Sequence, residues 1–562
     1  MAGLRIAALI ALMIPSGMAH AEMGLAGSYL SGRAAIRTGD YSEASHRYAK
    51  ALVRAPKNAT LMDQTILAFI GTGEIMSANQ IAFRRESLGE TSLAARMAIF
   101  ANMLKTEKFD EVKTRIKDEK GIDAVLDQLV LGWIAHSEGE EKAAAKWFKK
   151  ARSNKDLELL GAYNQALYHA LIGDFKSAAK AMDSDVGRAF LVTRNGMFAY
   201  VQILSQLGRF EDAKKALTER YGVGKGSEFS EIYAKLVAGE AIPFDVISSP
   251  EEGFAEAFYS FSRLLNDEGG LIAALLYGRI AIYLNPQNSE AILLVGSIFE
   301  VMEQYKTAAA LYARIAPDNS SHAVAEMARA NIYRRLEDYE KAITILQDVA
   351  RVQPMRFSTH WALGEAYHAA GQAGDAILSY DTAISKLESV EPHHWRLFYT
   401  RATALHSEGI WPRAEEDFLK VLELSPDEPS ALNYLGYSYL ERNENLDTAM
   451  EMIEKAAKES PGSGAITDSL GWAHFLIGNY DQAVVHLEAA VVLMATDPVV
   501  NDHLGDAYWA VGRKREARFQ WRRALSFDPI EKDETRISQK LDAGLDTVLA
   551  EEGAAPLAAS RE

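Results

Sequence analysis

The stretch DHLGDAYWAVGRKREARFQWRRAL, residues 502–525, decides the fold, because its pattern of small and aromatic residues returns along the chain. We take Ala517 as the marker of this pattern. Seven upstream alanines occupy the same place, each 34 to 38 residues from the next: Ala274, Ala308, Ala342, Ala376, Ala414, Ala449 and Ala483. A fixed period of this length indicates stacked repeats rather than one globular core.

The spacing within one repeat predicts two helices. In most copies a small residue stands twelve positions before the marker, as Gly505 does before Ala517, and in five copies Pro stands twelve positions after it. Pairs such as Gly478-Asn479 interrupt the helical pattern between the two small residues, so these residues belong to different helices. Small side chains let the two helices approach closely, and Pro ends the second helix.

A 34-residue unit with Leu-Gly, Tyr, Ala, an aromatic residue, Ala and Pro at these offsets resembles the tetratricopeptide repeat, as in SLGWAHFLIGNYDQAVVHLEAA, residues 469–490. The resemblance covers eight contiguous units, and weaker copies lie upstream. It implies an all-α protein: an α-solenoid of about fourteen helix-turn-helix units in two blocks, with a C-terminal capping helix.

The pattern divides the chain into five segments. A signal peptide at 1–21 precedes a block of degenerate repeats at 22–221, in which two units lie between residues 59 and 124. Three Gly near the start and two Pro further on break the frame in a connector at 222–254, and the block of eight repeats follows at 255–531. Residues 532–562 are expected to form a capping helix, with an apolar stripe that includes Ile537 and Leu545, and a frayed tail.

The N-terminus predicts export. One Arg is followed by an apolar run at 6–14 and by Ala19-His20-Ala21, which is typical of a cleavable secretory signal. That run is much shorter than the ~20 residues needed to cross a membrane, so we expect no transmembrane segment after cleavage. The absence of cysteine excludes disulfides, thiolate chemistry and a lipidated Cys, and favours the periplasm. The net charge of −17 makes nucleic acid an unfavourable partner.

The sequence contains no clear catalytic motif. The thirteen His are scattered, and the adjacent pair His393-His394 falls at a predicted turn. There is no HExxH, no GxSxG and no glycine-rich phosphate loop, so we expect no enzyme, no metal site and no cofactor. One basic run is either the charged outer face of the last repeat or a patch for an acidic surface or anionic headgroups. Its members are Arg513, Lys514, Arg515, Arg518, Arg522 and Arg523.

The resemblance also implies where a partner would bind. In this repeat family the first helix of each pair lines a concave surface, and aromatic residues alternating with polar ones there are typical of protein-binding hot spots. The residues expected to contact a partner are Trp361, His368, Arg396, Tyr399, His406, Asn433, Tyr437, Asp468, Trp472, Asp502, Asp506 and Trp509. The Lys and Asn clamp that some family members use for a terminal carboxylate is not evident.

Residues 433–484, beginning NYLGYSYLERNENLDTAM, resemble the C-terminal block of envelope repeat proteins of Gram-negative bacteria. Some of these relatives are lipoprotein adaptors that deliver substrates to a carboxyl-terminal processing protease. The resemblance implies a periplasmic protein-binding scaffold or adaptor, which could present substrates to such a protease. A structural assembly factor of an envelope export or outer-membrane biogenesis complex is the alternative. Because this chain has no lipidated Cys, we do not expect it to be membrane-anchored.

Overall fold

The computed structural model describes residues 24–89, 91–221, 229–554 and 557. The predicted signal peptide lies outside the described residues, as does part of the predicted connector, 222–228. Within the described ranges the chain is all α-helical, with two short 3-10 helices, Gly187–Val192 and Pro392–His394, and no strand. No helix in these ranges is long and apolar enough to cross a membrane.

The chain divides into two compact units, one ending at Val349 and the other beginning at Ala350. The helices of the first unit are α1 (Leu25–Arg37), α2 (Tyr41–Arg54), α3 (Ala59–Thr72), α4 (Ile75–Glu86), α5 (Leu93–Lys105), α6 (Phe109–Lys117), α7 (Ala124–Ser137), α8 (Glu141–Arg152), α9 (Glu158–Leu171), α10 (Phe175–Met182), α11 (Arg194–Gln206), α12 (Phe210–Arg220), α13 (Ser230–Val237), α14 (Pro250–Asp267), α15 (Leu271–Leu284), α16 (Ser289–Val301), α17 (Tyr305–Tyr312), α18 (His322–Arg335) and α19 (Tyr339–Val352), whose last residues cross the boundary.

The second unit continues the same alternation of first and second helices. Its helices are α20 (Phe357–Ala369), α21 (Ala373–Ser385), α22 (Trp395–Ser407), α23 (Trp411–Leu424), α24 (Pro429–Glu441), α25 (Leu446–Glu459), α26 (Gly464–Leu476), α27 (Tyr480–Leu493), α28 (Pro498–Ala510), α29 (Lys514–Leu525), α30 (Glu531–Ala543) and α31 (Leu545–Glu551).

Successive helices pack as hairpins, which confirms the predicted solenoid of about fourteen units. In the described residues, six hairpins run from α1–α2 to α11–α12 and eight run from α14–α15 to α28–α29. The two degenerate units expected between 59 and 124 are α3–α4 and α5–α6. Helix α13 stands between the two sets of hairpins.

Close packing explains the small residues of the repeat. All eight marker alanines are fully buried. On the facing helix, a Cβ added to Gly505 would lie 2.5 Å from Trp521 Cδ1, and one added to Gly296 would lie 2.6 Å from Tyr312 Cζ. In these two hairpins the glycine and the ring are sixteen residues apart in sequence, and the ring packs directly against the glycine backbone.

The inner helices of the first unit are covered by the chain itself. Helix α14 packs on α7 and α9, and α15 packs on α3 and α5. Tyr163 Oη on α9 donates a hydrogen bond to Glu256 Oε1 on α14 at 2.8 Å, and Arg279 Nε on α15 donates to the Gly71 carbonyl oxygen at 2.8 Å. The break between the two predicted blocks, at 222–254, therefore does not coincide with the boundary between the compact units, because α14 and α15 fold back onto the upstream repeats.

The C-terminal cap consists of two helices rather than the single capping helix expected. Gly544 separates α30 from α31 and adopts a φ of 87°, a conformation that favours glycine. A Cβ at this position would lie 2.5 Å from Trp509 Cζ2, so the break also makes room for the Trp509 ring. Ile537 and Leu545 of the predicted apolar stripe are buried, as expected of a cap.

Candidate partner-binding site

A cavity of about 370 Å³ opens between the first helices of four consecutive hairpins in the second unit, α22, α24, α26 and α28, and the turn that leads into α28. Each hairpin contributes side chains from the same face of its first helix. The lining residues are His406, Asn433, Tyr434, Tyr437, Ser438, Glu441, Ala465, Asp468, Ser469, Met494, Asp497, Val499, Val500 and His503.

One side of the cavity is aromatic and is held by contacts between repeats. The Tyr434 ring stacks on Phe418 with centroids 4.7 Å apart, and its hydroxyl lies 2.9 Å from His406 Nδ1. Burial raises the pKa of Tyr437, and the nearby carboxylates raise it further, so its hydroxyl stays protonated and able to donate. Asn433 Oδ1 is buried and accepts no hydrogen bond from a protein group.

The lining also contains an acid–imidazole pair. His503 Nδ1 lies 3.0 and 3.1 Å from the two carboxylate oxygens of Asp468. The imidazole also stacks on Trp472, with centroids 4.0 Å apart and ring planes 13° apart, and Trp472 stacks in turn on Phe475. Burial alone would lower the pKa of His503, but the Asp468 carboxylate and two further aspartates outweigh it and raise the pKa above its usual value.

The structure brings four of the predicted partner-contact residues into this cavity: His406, Asn433, Tyr437 and Asp468. Trp472 lies behind His503 and lines a neighbouring cavity of about 130 Å³. Sequence reasoning missed Glu441, although it lies one helical turn after Tyr437 and so on the same face. It also missed Asp497, Val499, Val500 and His503 at the start of the next hairpin, because their approach depends on how one repeat stacks on the next.

Three of the predicted contact residues, Asp502, Asp506 and Trp509, are in contact with the C-terminal cap. Lys540 of α30 is fully buried, and its Nζ lies 2.6 Å from Asp502 Oδ1 and 2.7 Å from Asp506 Oδ1. Burial and the adjacent Asp506 carboxylate raise the pKa of Asp502 to about 6, against the opposing effect of the Lys540 ammonium. Trp509 Nε1 donates to Asp546 Oδ2 at 2.8 Å. The cap covers most of these side chains, and their contact with a partner stays a prediction.

The remaining predicted contact residues lie on α20 and α22, outside the lining of the cavity. Trp361 and His368 are half-buried on α20, and burial lowers the pKa of His368. Arg396 is exposed, with its guanidinium 5.2 Å from the Trp395 ring centroid. Tyr399 packs edge-on against Phe418 and against Tyr434 of the cavity wall. A role for these four in partner binding stays a prediction.

The basic run near the C-terminus is largely engaged within the chain. Arg513 pairs with Glu488 at 3.0 Å, and the cationic groups of Lys514 and Arg518 lie 4.6 and 5.2 Å from the Trp509 ring centroid. The remaining members are Arg515, Arg522 and Arg523. These internal contacts favour the interpretation as an outer face of the last hairpin, and anion binding stays untested.

Metal-binding geometry is not found in the described part of the chain. No group of three or more His, Cys, Asp or Glu in those residues is arranged to hold a metal ion. The rings of His393 and His394 lie with centroids 4.0 Å apart, and His394 Nδ1 accepts a hydrogen bond from the Glu391 backbone N–H. His394 therefore closes a turn, as its position in the sequence indicated.

Comparisons with known proteins agree with the repeat architecture. The family model of the tetratricopeptide repeat matches residues 327–392 and 399–464. The TPR repeat-containing protein PA4667 of Pseudomonas aeruginosa is 30% identical over 212 residues, which cover 36% of this chain and 34% of that protein. The human Protein O-mannosyl-transferase TMTC1 is 26% identical over 209 residues, 34% of this chain and 23% of that protein. The chain thus spans about a third or less of these curated relatives.

Among solved structures, the crystal structure of the APC/C hetero-tetramer Cut9-Hcn1 is 15% identical, with a TM-score of 0.39, and the match covers 92% of this chain and 96% of that one. The crystal structure of MamA matches 30% of this chain and 94% of its own, with 23% identity and a TM-score of 0.27.

Proposed function

This chain is a tetratricopeptide-repeat protein, and from that premise we propose that it is a protein-binding scaffold that holds a segment of a partner in the cavity of its second unit. The coarse role, protein–protein interaction, follows from the repeat fold, whose stacked hairpins create extended binding surfaces. In this role the chain supplies surface and orientation rather than chemistry of its own.

The observation that carries the proposal is the cavity itself. Its volume of about 370 Å³ lies near the lower end of the range for ligand pockets, about 300–1,000 Å³, which suits one or two side chains of an extended segment. Tyr434 and Tyr437 offer flat apolar area with polar tips, and Asn433 adds a polar side chain to the lining. Rigid aromatic groups beside a few polar ones are the usual composition of an interface hot spot.

The first unit supports the choice of the second as the binding region. There the inner helices α3, α5, α7 and α9 are covered by α14 and α15, so those faces are already used within the chain. The first helices of the second unit present polar and aromatic side chains to the cavity instead. A partner segment would therefore meet the hairpins from α22 to α28.

The matched pair Val499→Trp and Val492→Trp tests this site. Val499 lines the cavity and is 45% exposed, whereas Val492 is 81% exposed on α27 and does not line it. The tagged full chain would be cross-linked in a periplasmic extract, and captured proteins identified by mass spectrometry. We expect Val499→Trp to lose proteins that the wild type and Val492→Trp retain. Recovery of the same proteins by all three would contradict the assignment of the cavity.

We further propose that the protein acts in the periplasm, because residues 1–21 have the features of a cleavable signal. Fusion of residues 1–30 to a phosphatase that is active only after export should yield activity, and deletion of residues 6–14 should abolish it. Activity that survives the deletion would contradict the predicted signal.

The same capture experiment separates two envelope roles. An adaptor for a carboxyl-terminal processing protease should recover a protease together with varied substrates. An assembly factor for an export or outer-membrane biogenesis complex should recover a fixed set of membrane subunits. The resemblance of residues 433–484 to envelope repeat proteins favours the adaptor.

A further inference from the structure

The cavity between α22 and α28 has an uneven charge. Three carboxylates, Glu441, Asp468 and Asp497, line it, and none of the described side chains in its lining is Lys or Arg. His503 Nδ1 is hydrogen-bonded to Asp468, so the positive charge of the protonated imidazole balances only one of the three carboxylates. The rest of the cavity wall therefore favours a cation.

Resting on the proposed function, we infer that this cavity binds a Lys or Arg side chain of an extended partner segment and seats an apolar neighbour of that residue beside it. The acidic wall recognises the positive charge. The apolar wall recognises the side chain next to it.

The polar groups of the cavity match the donors of such a side chain. An ammonium carries three donors and a guanidinium five, and neither can accept, so each needs several acceptors. The carboxylates of Glu441 and Asp497 line the cavity, and each can accept more than one bond. Asp497 already caps α28 by accepting the N–H of Val499 at 2.9 Å, which fixes that carboxylate in place.

The apolar part of the cavity suits the rest of the segment. Met494, Val499 and Val500 line it together with the two tyrosines. Lys and Arg carry long apolar stems that pack on such surfaces while the charged end reaches a polar group. The faces of Tyr434 and Tyr437 can also attract a cation directly.

The same charges select against other segments. A partner that presents Asp, Glu or a terminal carboxylate would place like charges together in a partly desolvated cavity, which opposes binding. This chain is thus expected to differ from repeat proteins that clamp a terminal carboxylate.

The probe is a library of short random peptides displayed on phage and selected on the immobilised full chain. We expect the enriched peptides to carry Lys or Arg next to an apolar residue. Val499→Trp should abolish enrichment, since it fills the cavity. Enriched peptides that lose enrichment on Val499→Trp but show no preference for Lys or Arg would overturn this inference and leave the proposed function standing. The absence of any enrichment on the wild type would overturn both.

A second arm changes charge without changing shape. In Glu441→Gln/Asp497→Asn both residues keep their size, and Asn remains a good helix cap. The matched control, Glu451→Gln/Glu459→Gln, removes the same charge from exposed positions outside the cavity. A selected basic peptide should bind the first variant about tenfold more weakly, the effect of losing one hydrogen bond to a charged group, and the control unchanged.

Circular dichroism melting of both variants should match the wild type, which shows that the fold is retained. Equal peptide affinity for the two double variants, or a gain for Glu441→Gln/Asp497→Asn, would overturn the inference. Saturable binding of the free polyamine spermidine, with no peptide enriched, would also overturn the inference. The acidic cavity would then be a site for a small cationic molecule.

Discussion

Replacing Gly364 by Ala should destabilise the hairpin formed by α20 and α21. A Cβ at position 364 would lie 2.5 Å from Tyr380 Cδ1 and 3.0 Å from Cζ. Carbon atoms in favourable contact are about 3.5–4.0 Å apart, so the ring would have to retreat by about 1 Å. Tyr380 is fully buried, and the retreat would disturb the core around it.

The size of the effect follows from two opposing terms. Overpacking a core costs about 1–3 kcal/mol, and this overlap with a rigid ring belongs at the upper end. Ala replacing a helical Gly gains up to about 1 kcal/mol. We therefore expect a net loss of about 1–2 kcal/mol in the free energy of unfolding.

Gly374→Ala is the matched control in the same hairpin. Gly374 lies on α21, and a Cβ there would meet nothing within 4 Å. This substitution should stabilise the protein by about 0.5–1 kcal/mol through the lower backbone entropy of the unfolded chain. The two identical substitutions are thus predicted to have opposite signs.

Urea unfolding followed by circular dichroism would measure both variants, and hydrogen exchange of peptides from α20 and α21 would localise the effect, because repeat arrays open locally. In a Tyr380→Ala background the cost of Gly364→Ala should disappear. If Gly364→Ala were as stable as Gly374→Ala, or if its cost persisted without the Tyr380 ring, the close-packing explanation of the repeat glycines would be wrong.

Three further perturbations test the repeat core, the buried imidazole and the cap. Ala483→Phe should lower the free energy of unfolding by about 1–3 kcal/mol, since Ala483 is fully buried. The raised pKa of His503 means that the folded state holds the proton more tightly, so the stability from its pair with Asp468 is complete below about pH 6.5 and is lost as pH rises through the folded pKa; His503→Gln should remove this pH dependence in urea unfolding. Lys540→Met should cost about 3–5 kcal/mol and speed hydrogen exchange in α30. The substitution removes the cation nearest to the buried Asp506 and leaves Arg536 Nη1, which lies 3.6 Å from Asp506 Oδ2.

Each of these has a control at an exposed position on the same unit. Val485→Phe, on the same helix as Ala483, should change stability by less than about 0.5 kcal/mol. His393→Gln should keep the pH dependence of the wild type, and Lys532→Met should leave exchange in α30 unchanged. Equal effects of a test variant and its control would refute the corresponding contact.

The repeat unit, and the helix face from which three predicted residues line the cavity, could be predicted from the sequence. Asn433, Tyr437 and Asp468 line the cavity because the repeat register assigns them to one face of their helices. Asp502, Asp506 and Trp509 have the same register, yet the cap covers them. The repeat register determines on which face of its helix a residue lies. It does not determine which other part of the chain packs against that face.

The sequence indicated that α15 is buried, but it did not indicate that α14 and α15 pack on the upstream repeats. Helix α15, LIAALLYGRIAIYL, is apolar on nearly every side, which indicates burial on more than one face. That composition does not specify which helices pack against α15. The bond from Arg279 to Gly71 joins residues 208 positions apart, and only the assembled fold brings them together.

The sequence by itself determined the hairpin, its period and its number, because the contacts that define a hairpin join residues twelve to sixteen positions apart. Tertiary structure alone decided which faces stay open. The inner face of the first unit is filled by α14 and α15, the last hairpin is covered by α30 and α31, and the cavity remains between α22 and α28. The reason is physical: periodicity records that a face must be buried or exposed, whereas the identity of its neighbour depends on contacts between distant parts of the chain.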